Sequence, residues 1–193
     1  MRALTRLVLP LVLAPALTSG CGAFDPRLVV SGGSGTDGPV GIVVLHDTVA
    51  HRPYSLGGWD MCLDRPGSAT ITSVEPIRPY NDIVVQAFSS RPHTGPMLGN
   101  AEKPLTELGF PARGPAVTTV CEESDLHTEL ALQYGKTRDD SAGAEGVRIT
   151  YTSAGRRHTV DFNLRVLLCA PGMPAERCEK TYEELLAPGD DGD

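Results

Sequence analysis

The strongest constraint on the fold is a regular alternation of apolar and polar residues in the last third of the chain. Residues 147–152 and 160–168 place an apolar side chain at every second position, and the turn-forming run SAGRR at residues 153–157 separates them. Because side chains on a strand alternate between its two faces, each stretch predicts a strand with one dry and one wet face. Together they predict a β-hairpin whose apolar positions are Val147, Ile149, Tyr151, Val160, Phe162, Leu164, Val166 and Leu168.

Shorter segments predict about six further strands, at residues 40–45, 59–63, 69–74, 83–88, 117–121 and 129–134. Residues 137–146 are expected to form a polar loop. Two helices are expected: a single turn at residues 105–108, and a longer one at residues 175–186 that begins after Pro174 and ends before Pro188. We therefore expect an all-β, antiparallel sandwich of about seven to eight strands with a short C-terminal helix. A small closed barrel is the alternative.

Residues 61–74 (MCLDRPGSATITSV) contain a strand, a turn at Arg65-Pro66-Gly67 and a second strand. This segment resembles the hairpins of immunoglobulin-like domains in cell-envelope proteins. The resemblance implies an immunoglobulin-like sandwich and carries no information about a ligand.

The N-terminus has the composition of an export signal. Arg2 and Arg6 precede residues 7–17, a charge-free apolar run that is too short to span a bilayer. The next residues, Thr18-Ser19-Gly20-Cys21, resemble the lipobox of bacterial lipoproteins. That resemblance implies cleavage before Cys21, diacylation of its sulfur, and a protein held on the cell membrane with its folded part outside the cytoplasm. Cleavage after Ala16 by an ordinary signal peptidase is the alternative.

The cysteine count bears on this choice. The chain contains Cys21, Cys62, Cys121, Cys169 and Cys178. Thiols pair in oxidising compartments, and lipidation of Cys21 leaves an even number for disulfides. Cys169 lies on the polar face of its strand, and Cys178 follows it after a Pro-Gly turn. We therefore predict Cys169–Cys178 and Cys62–Cys121, with Cys62–Cys169 as the main alternative. The chain has no CxxC pair of the kind that redox and zinc sites use.

The chain divides into four predicted parts: a signal peptide (1–20), a flexible Gly/Ser tether (21–38), a β-sandwich domain (39–187) and an acidic tail (188–193). Removal of the signal takes away Arg2 and Arg6 and no acidic residue. Lys plus Arg then falls from 17 to 15 against 24 acidic residues, so the formal net charge changes from −7 to −9. Such an acidic balance argues against nucleic acid as a partner.

Aromatic residues in or near the predicted loops are candidates for a binding surface, because exposed rings stack on sugars or anchor a protein partner. For Trp59 a position in the core is the favoured alternative. A proline-rich loop between Ser89 and Pro115 is the first place to look for recognition, since long loops in small domains are often functional. The candidate residues are Tyr54, Trp59, Tyr80 and Phe110. Phe110 also indicates, with Leu105 and Leu108, that the proline-rich loop packs partly on the body.

These features predict a non-catalytic binding or accessory lipoprotein of the cell envelope, with an envelope protein or a glycan as partner and no cofactor. The alternative is a copper-handling lipoprotein that uses His93 and Met97, with Met61 as a further soft ligand. An envelope hydrolase is a third hypothesis, although the chain has no GxSxG, SxxK or HExxH motif and we assign no catalytic residue. No residue is assigned to a metal site.

Overall fold

A computed structural model describes residues 24–31, 41–93, 95–121 and 127–186. Within these ranges the chain forms strands β1 (Leu28–Val30), β2 (Gly41–Leu45), β3 (Tyr54–Leu63), β4 (Ala69–Ile77), β5 (Val84–His93), β6 (Asn100–Ala101), β7 (His127–Gly135), β8 (Ala142–Ala144), β9 (Gly146–Ser153), β10 (Arg156–Phe162) and β11 (Leu164–Leu168). A 3-10 helix spans Leu105–Leu108 and helix α1 spans Ala175–Leu186, as predicted. The prediction of an all-β, sandwich-like fold is confirmed.

The strands form three sheets. In the first sheet, β5, β7 and β3 are consecutive neighbours, and β1 and β6 both pair with β3. The second sheet has the order β10-β9-β4, and the third has the order β2-β11-β8. All pairs are antiparallel except β2 with β11, which is parallel. Side chains from all three sheets meet in one main core.

The predicted hairpin is present as β9 and β10, which pair from Arg156↔Ser153 to Phe162↔Val147. Its turn places Ala154 and Gly155 at φ values of 48° and 75°, and two successive positive φ values are what a type I′ hairpin turn requires. The alternation also holds. Phe162 is fully buried in the main core, where the ring of Trp59 meets it edge-on at 5.4 Å between centroids.

The prediction of one continuous strand over residues 160–168 is wrong. The chain leaves the second sheet at Asn163, and β11 continues in the third sheet between β2 and β8. β8 itself lies in residues 137–146, which were expected to be a polar loop. Its sequence is Ala-Gly-Ala, so it has no alternation that could have indicated a strand, yet all three residues are buried.

β3 and β4 do not form the hairpin expected from residues 61–74, because they belong to different sheets. The groups that would have joined them are bonded to residues 117–121 instead. The Leu63 N–H donates to Thr119 O at 2.7 Å, and the Ala69 N–H donates to Val117 O at 2.9 Å. The strand predicted at 117–121 is therefore reduced to isolated bridges to both neighbours.

Part of the predicted tether belongs to the folded body. Residues 28–30 form β1, which pairs with β3 from Leu28↔Leu63 to Val30↔Met61, and the side chains of Leu28 and Val30 are buried. Three residues are too few for their periodicity to indicate a strand. The predicted signal, Cys21, most of the Gly/Ser run and the acidic tail lie outside the described residues. Among the residues described, no helix is both long enough and apolar enough to cross a bilayer.

Both predicted disulfides are present, Cys62–Cys121 and Cys169–Cys178. The second one fastens the first turns of α1 over the third sheet, where Leu167, Cys169 and Cys178 form a separate buried cluster. Cys169 was predicted at the periphery. It does lie outside the main core, but helix α1 and its connection to β11 bury it completely.

Replacement of Phe162 by Ala should destabilise the body by about 3–5 kcal/mol, since it leaves a cavity in the centre of the main core. The control is Thr159→Ala, an exposed position on the same strand, for which we expect a change within about 0.5 kcal/mol. Urea unfolding measures both. Equal effects for the two variants would contradict the described orientation of β10.

Candidate functional site

A cleft of about 340 Å³ opens between β2 and β6. Its size is at the low end of the range for small-molecule pockets. It is lined by Val44, Leu45, His46, Tyr54, Asn100, Ala101 and Glu102. The cleft therefore joins the start of β3 to the proline-rich loop, the two regions in which the sequence placed candidate residues.

The loop side of the cleft is held by β3. β6 pairs with it through Ser55↔Ala101 and Leu56↔Asn100, and the Ser55 hydroxyl donates to Lys103 O at 2.6 Å. Gly57 permits this close approach, because a Cβ atom there would lie 2.9 Å from the Cβ of Leu98. Main-chain pairing and a side-chain hydrogen bond thus hold the backbone of residues 98–103 alongside β3.

The opposite wall continues into residues 46–53, a loop with an unusual backbone. Asp47 and His51 have φ values of 54° and 59°, which is a left-handed conformation that non-glycine residues adopt at a cost of about 1–3 kcal/mol. The surrounding structure enforces it. The Thr48 hydroxyl donates to Cys169 O at 2.7 Å, and the Asp47 carboxylate accepts the Gly172 N–H at 2.8 Å. Such strain is concentrated at functional sites in many proteins.

A buried lysine supports the same loop from behind. Lys136 is 1% exposed, and its ammonium donates to Asp139 O at 3.1 Å and Asp140 O at 2.8 Å. Burial lowers the pKa of Lys136, although the nearby carboxylates act in the opposite direction. Its carbonyl accepts the His51 N–H, and the Asp139 carboxylate accepts the Ala50 N–H at 2.7 Å. Residues 136–140 therefore brace the wall of the cleft.

The neighbouring Asp82 holds Thr137, within residues 136–140, by two hydrogen bonds. Burial opposes the ionisation of Asp82, but hydrogen bonds from the hydroxyl and the N–H of Thr137 outweigh it and hold the pKa of that carboxyl below its usual value. Nothing in the sequence pattern indicated the buried charge of Lys136 or the partly buried carboxylate of Asp82.

Tyr54 was predicted to expose its ring for binding, and that prediction is wrong. The residue is 5% exposed, and its hydroxyl accepts the Val49 N–H at 2.7 Å. Burial is the main cause that raises the pKa of Tyr54, and the Glu102 carboxylate adds to the effect. Tyr54 therefore forms the wall of the cleft, while His46 and Glu102 are exposed at its mouth. These groups can bind a polar ligand or the polar side chains of a partner.

The proline-rich loop packs on the outer face of the first sheet through an ion pair that the sequence did not reveal. The Glu129 carboxylate is fully buried, with Oε2 at 2.9 Å from Arg91 Nε, and its Oε1 accepts the Leu98 N–H at 2.6 Å. The Arg91 guanidinium also lies 4.2 Å from the centroid of the Phe110 ring. One carboxylate thus fixes both the entrance of the loop and its aromatic residue.

Phe110 packs on the body, as expected for its loop, so it does not contribute an exposed ring to a binding surface. It is 3% exposed and packs with Leu105 and Ala131 beneath the loop. Trp59 packs against the main core, which is the position that the sequence analysis favoured for it. Tyr80 is half-buried and bridges to Gly143 in β8, at the other edge of the third sheet from the cleft. The four aromatic candidates therefore do not form one surface.

The candidate copper ligands are not gathered either. Met61 is fully buried in the main core, whereas Met97 lies partly buried in the proline-rich loop. The side chain of His93 lies outside the described part of the structure. Among the residues described, no group of three or more His, Cys, Asp or Glu side chains is placed to hold a metal ion.

In comparisons with known proteins, no protein-family model, no curated protein and no solved structure matches this chain.

Replacement of Glu129 by Gln should loosen the proline-rich loop. The variant loses the charge that pairs with Arg91 and weakens the bond to the Leu98 N–H, so we expect a loss of about 2 kcal/mol. Hydrogen exchange of residues 95–110 and urea unfolding measure the two effects. The matched control is Glu102→Gln, whose exposed pair with Arg52 at 3.8 Å should contribute less than about 0.5 kcal/mol. Unchanged exchange in the Glu129 variant would show that the ion pair does not fix the loop.

Proposed function

We propose that this chain is a membrane-anchored lipoprotein of the cell envelope and that its β-sandwich is a non-catalytic binding or accessory module. The proposal has two parts, the anchor and the binding role, and different observations support them.

The observation that carries the first part is the pairing of the cysteines. Cys62 bonds to Cys121 and Cys169 to Cys178, so the four cysteines of the body are all used. Disulfides persist in exported proteins and are rare in a reducing cytosol. Cys21 is the one cysteine of the chain outside these two bonds. An exported protein with a single spare cysteine directly after a signal-like segment is what a lipoprotein requires.

The sequence around Cys21 supplies the second support. Thr18-Ser19-Gly20-Cys21 follows an apolar run preceded by Arg2 and Arg6. Two acyl chains on one cysteine hold a protein on a bilayer stably, whereas a single chain gives only marginal binding. The anchored body carries a formal net charge of −9, as calculated above from the composition. A covalent anchor suits such a body, because an anionic bilayer repels most of its surface.

The binding role is supported by the fixed geometry of the cleft and the loop beside it. Residues 98–103 are hydrogen-bonded to β3, and the ion pair between Arg91 and Glu129 fixes the proline-rich loop to the first sheet. A loop that is already ordered loses little conformational entropy when a partner binds. The buried Tyr54 forms the wall of the cleft, and at its mouth His46 offers an imidazole and Glu102 a carboxylate. These are groups that hydrogen-bond a glycan or the polar surface of an envelope protein.

Replacement of Cys21 by Ala should abolish lipid incorporation. Cells that express the full chain are grown with an alkyne-tagged fatty acid, and the purified protein is tested for the tag. We expect label in the unmodified protein and none in Cys21→Ala, because no other cysteine is free to be acylated.

The control is the double variant Cys62→Ala/Cys121→Ala, which loses a disulfide and should keep the label. Label retained in Cys21→Ala, or absent from the unmodified protein, would contradict the anchor.

A further inference from the structure

Three segments meet at one end of the sandwich, next to the point where the described chain begins. They are residues 24–27, the turn at residues 64–67 after β3, and the start of β10. The Arg27 N–H donates to Asp64 Oδ1 at 2.7 Å, and the Asp64 N–H donates to Arg27 O at 3.0 Å. Asp25 Oδ2 lies 3.4 Å from Arg156 Nη1 and 3.3 Å from His158 Nε2. We call this surface the basic end.

The backbone before β1 is pressed closely onto the turn. A Cβ atom on Gly67 would lie 2.3 Å from Pro26 Cγ, so no larger residue fits opposite Pro26. Residues 24–27 are therefore held in place by backbone hydrogen bonds, an ion pair and a tight packing contact. The side chain that begins this segment has a defined position relative to the body.

That side chain is Phe24, which is 78% exposed and has the highest exposure among the large apolar residues described. The guanidinium of Arg65 lies over its ring, with the central carbon 5.7 Å from the ring centroid. An exposed aromatic ring next to arginines is typical of segments that lie at the interface between lipid headgroups and acyl chains.

The described segments of the basic end have a charge opposite to that of the whole body. Residues 24–27, the turn at residues 64–67 and the start of β10 carry four exposed arginines against two aspartates. Both aspartates are engaged internally, since the side chain of Asp25 is 12% exposed and that of Asp64 is 28% exposed. The carboxylate of Asp64 pairs with Arg65, which holds the pKa of Asp64 below its usual value. The arginines are Arg27, Arg65, Arg156 and Arg157.

The position of Cys21 indicates what this surface faces. Three peptide units separate Cys21 from Phe24, and they span at most about 11 Å. If Cys21 carries the lipid, as proposed above, the basic end cannot lie far from the bilayer. An anionic lipid surface attracts nearby arginines and repels the acidic remainder of the body.

We propose that the basic end docks on the bilayer surface, with Phe24 at the level of the lipid headgroups and its arginines on anionic lipids. This inference rests on the proposed anchor for its geometry. It assigns the body one orientation, in which the N-terminal segment, the β3–β4 turn and the β9–β10 turn face the membrane.

Tryptophan fluorescence tests the orientation directly. The full-length gene is expressed with Trp59→Phe and Phe24→Trp, and the mature protein is reconstituted in vesicles whose acyl chains carry bromine. Bromine quenches a tryptophan only at short range. We expect strong quenching when phosphatidylglycerol is present, and weaker quenching in phosphatidylcholine alone or at an ionic strength of about 1 M, where charges are screened within about 3 Å.

The matched control is Val84→Trp in the same Trp59→Phe background. Val84 is 43% exposed and lies on β5, at the opposite edge of the first sheet from β1. We expect little quenching there. Arg65→Ser with Arg156→Ser should lower the partition of the Phe24 reporter to the interface by about fivefold for each arginine removed.

The two proposals fail in different ways. Flotation of the protein with vesicles of phosphatidylcholine alone reports the lipid anchor, whatever the orientation of the body. Quenching of the Phe24 reporter no greater than that of the Val84 reporter, in a protein that floats, would overturn the docking alone. Equal quenching at position 24 with and without phosphatidylglycerol would also overturn it, because the arginines would then make no contact with anionic lipid.

Discussion

The Cys62–Cys121 disulfide lies where the chain passes from the first sheet to the second, and much of the architecture depends on that corner. Residues 117–121 bond to the end of β3 through Leu63 and to the start of β4 through Ala69. The disulfide fixes the end of this segment to β3. Because its two cysteines are 59 positions apart in the sequence, it also removes much of the freedom of the unfolded chain. The segment keeps β3 and β4 in separate sheets, with the main core between them.

The two surfaces with a proposed role lie at different ends of β3. The cleft is built around Tyr54, where β3 begins, and the basic end surrounds Asp64, just after β3 finishes. A ten-residue strand rises about 33 Å. A body docked through its basic end would therefore hold the cleft well away from the bilayer, open to a partner in the envelope. The ion pair of Arg91 with the buried Glu129 keeps the loop beside the cleft ordered.

The sequence was sufficient wherever a local pattern controls the structure. The hairpin follows from alternation and from Ala154-Gly155, and α1 follows from the prolines on either side of it. The short strands β1, β6 and β8 could not be predicted, because two or three residues carry no period and their pairing depends on distant partners. Glu129 lies on the face of β7 that is turned away from the main core. It is buried because a loop distant in the sequence folds over it, and the same loop buries Phe110.

The most direct test is non-reducing peptide mapping of the protein extracted from its native membrane. It shows whether the four cysteines of the body pair with one another and whether Cys21 carries the lipid. The map should contain one linked peptide pair with Cys62 and Cys121 and a second with Cys169 and Cys178. Cys21 should appear as the acylated N-terminus, in neither pair. A disulfide that includes Cys21, or a free thiol at any of the four body cysteines, would contradict this account.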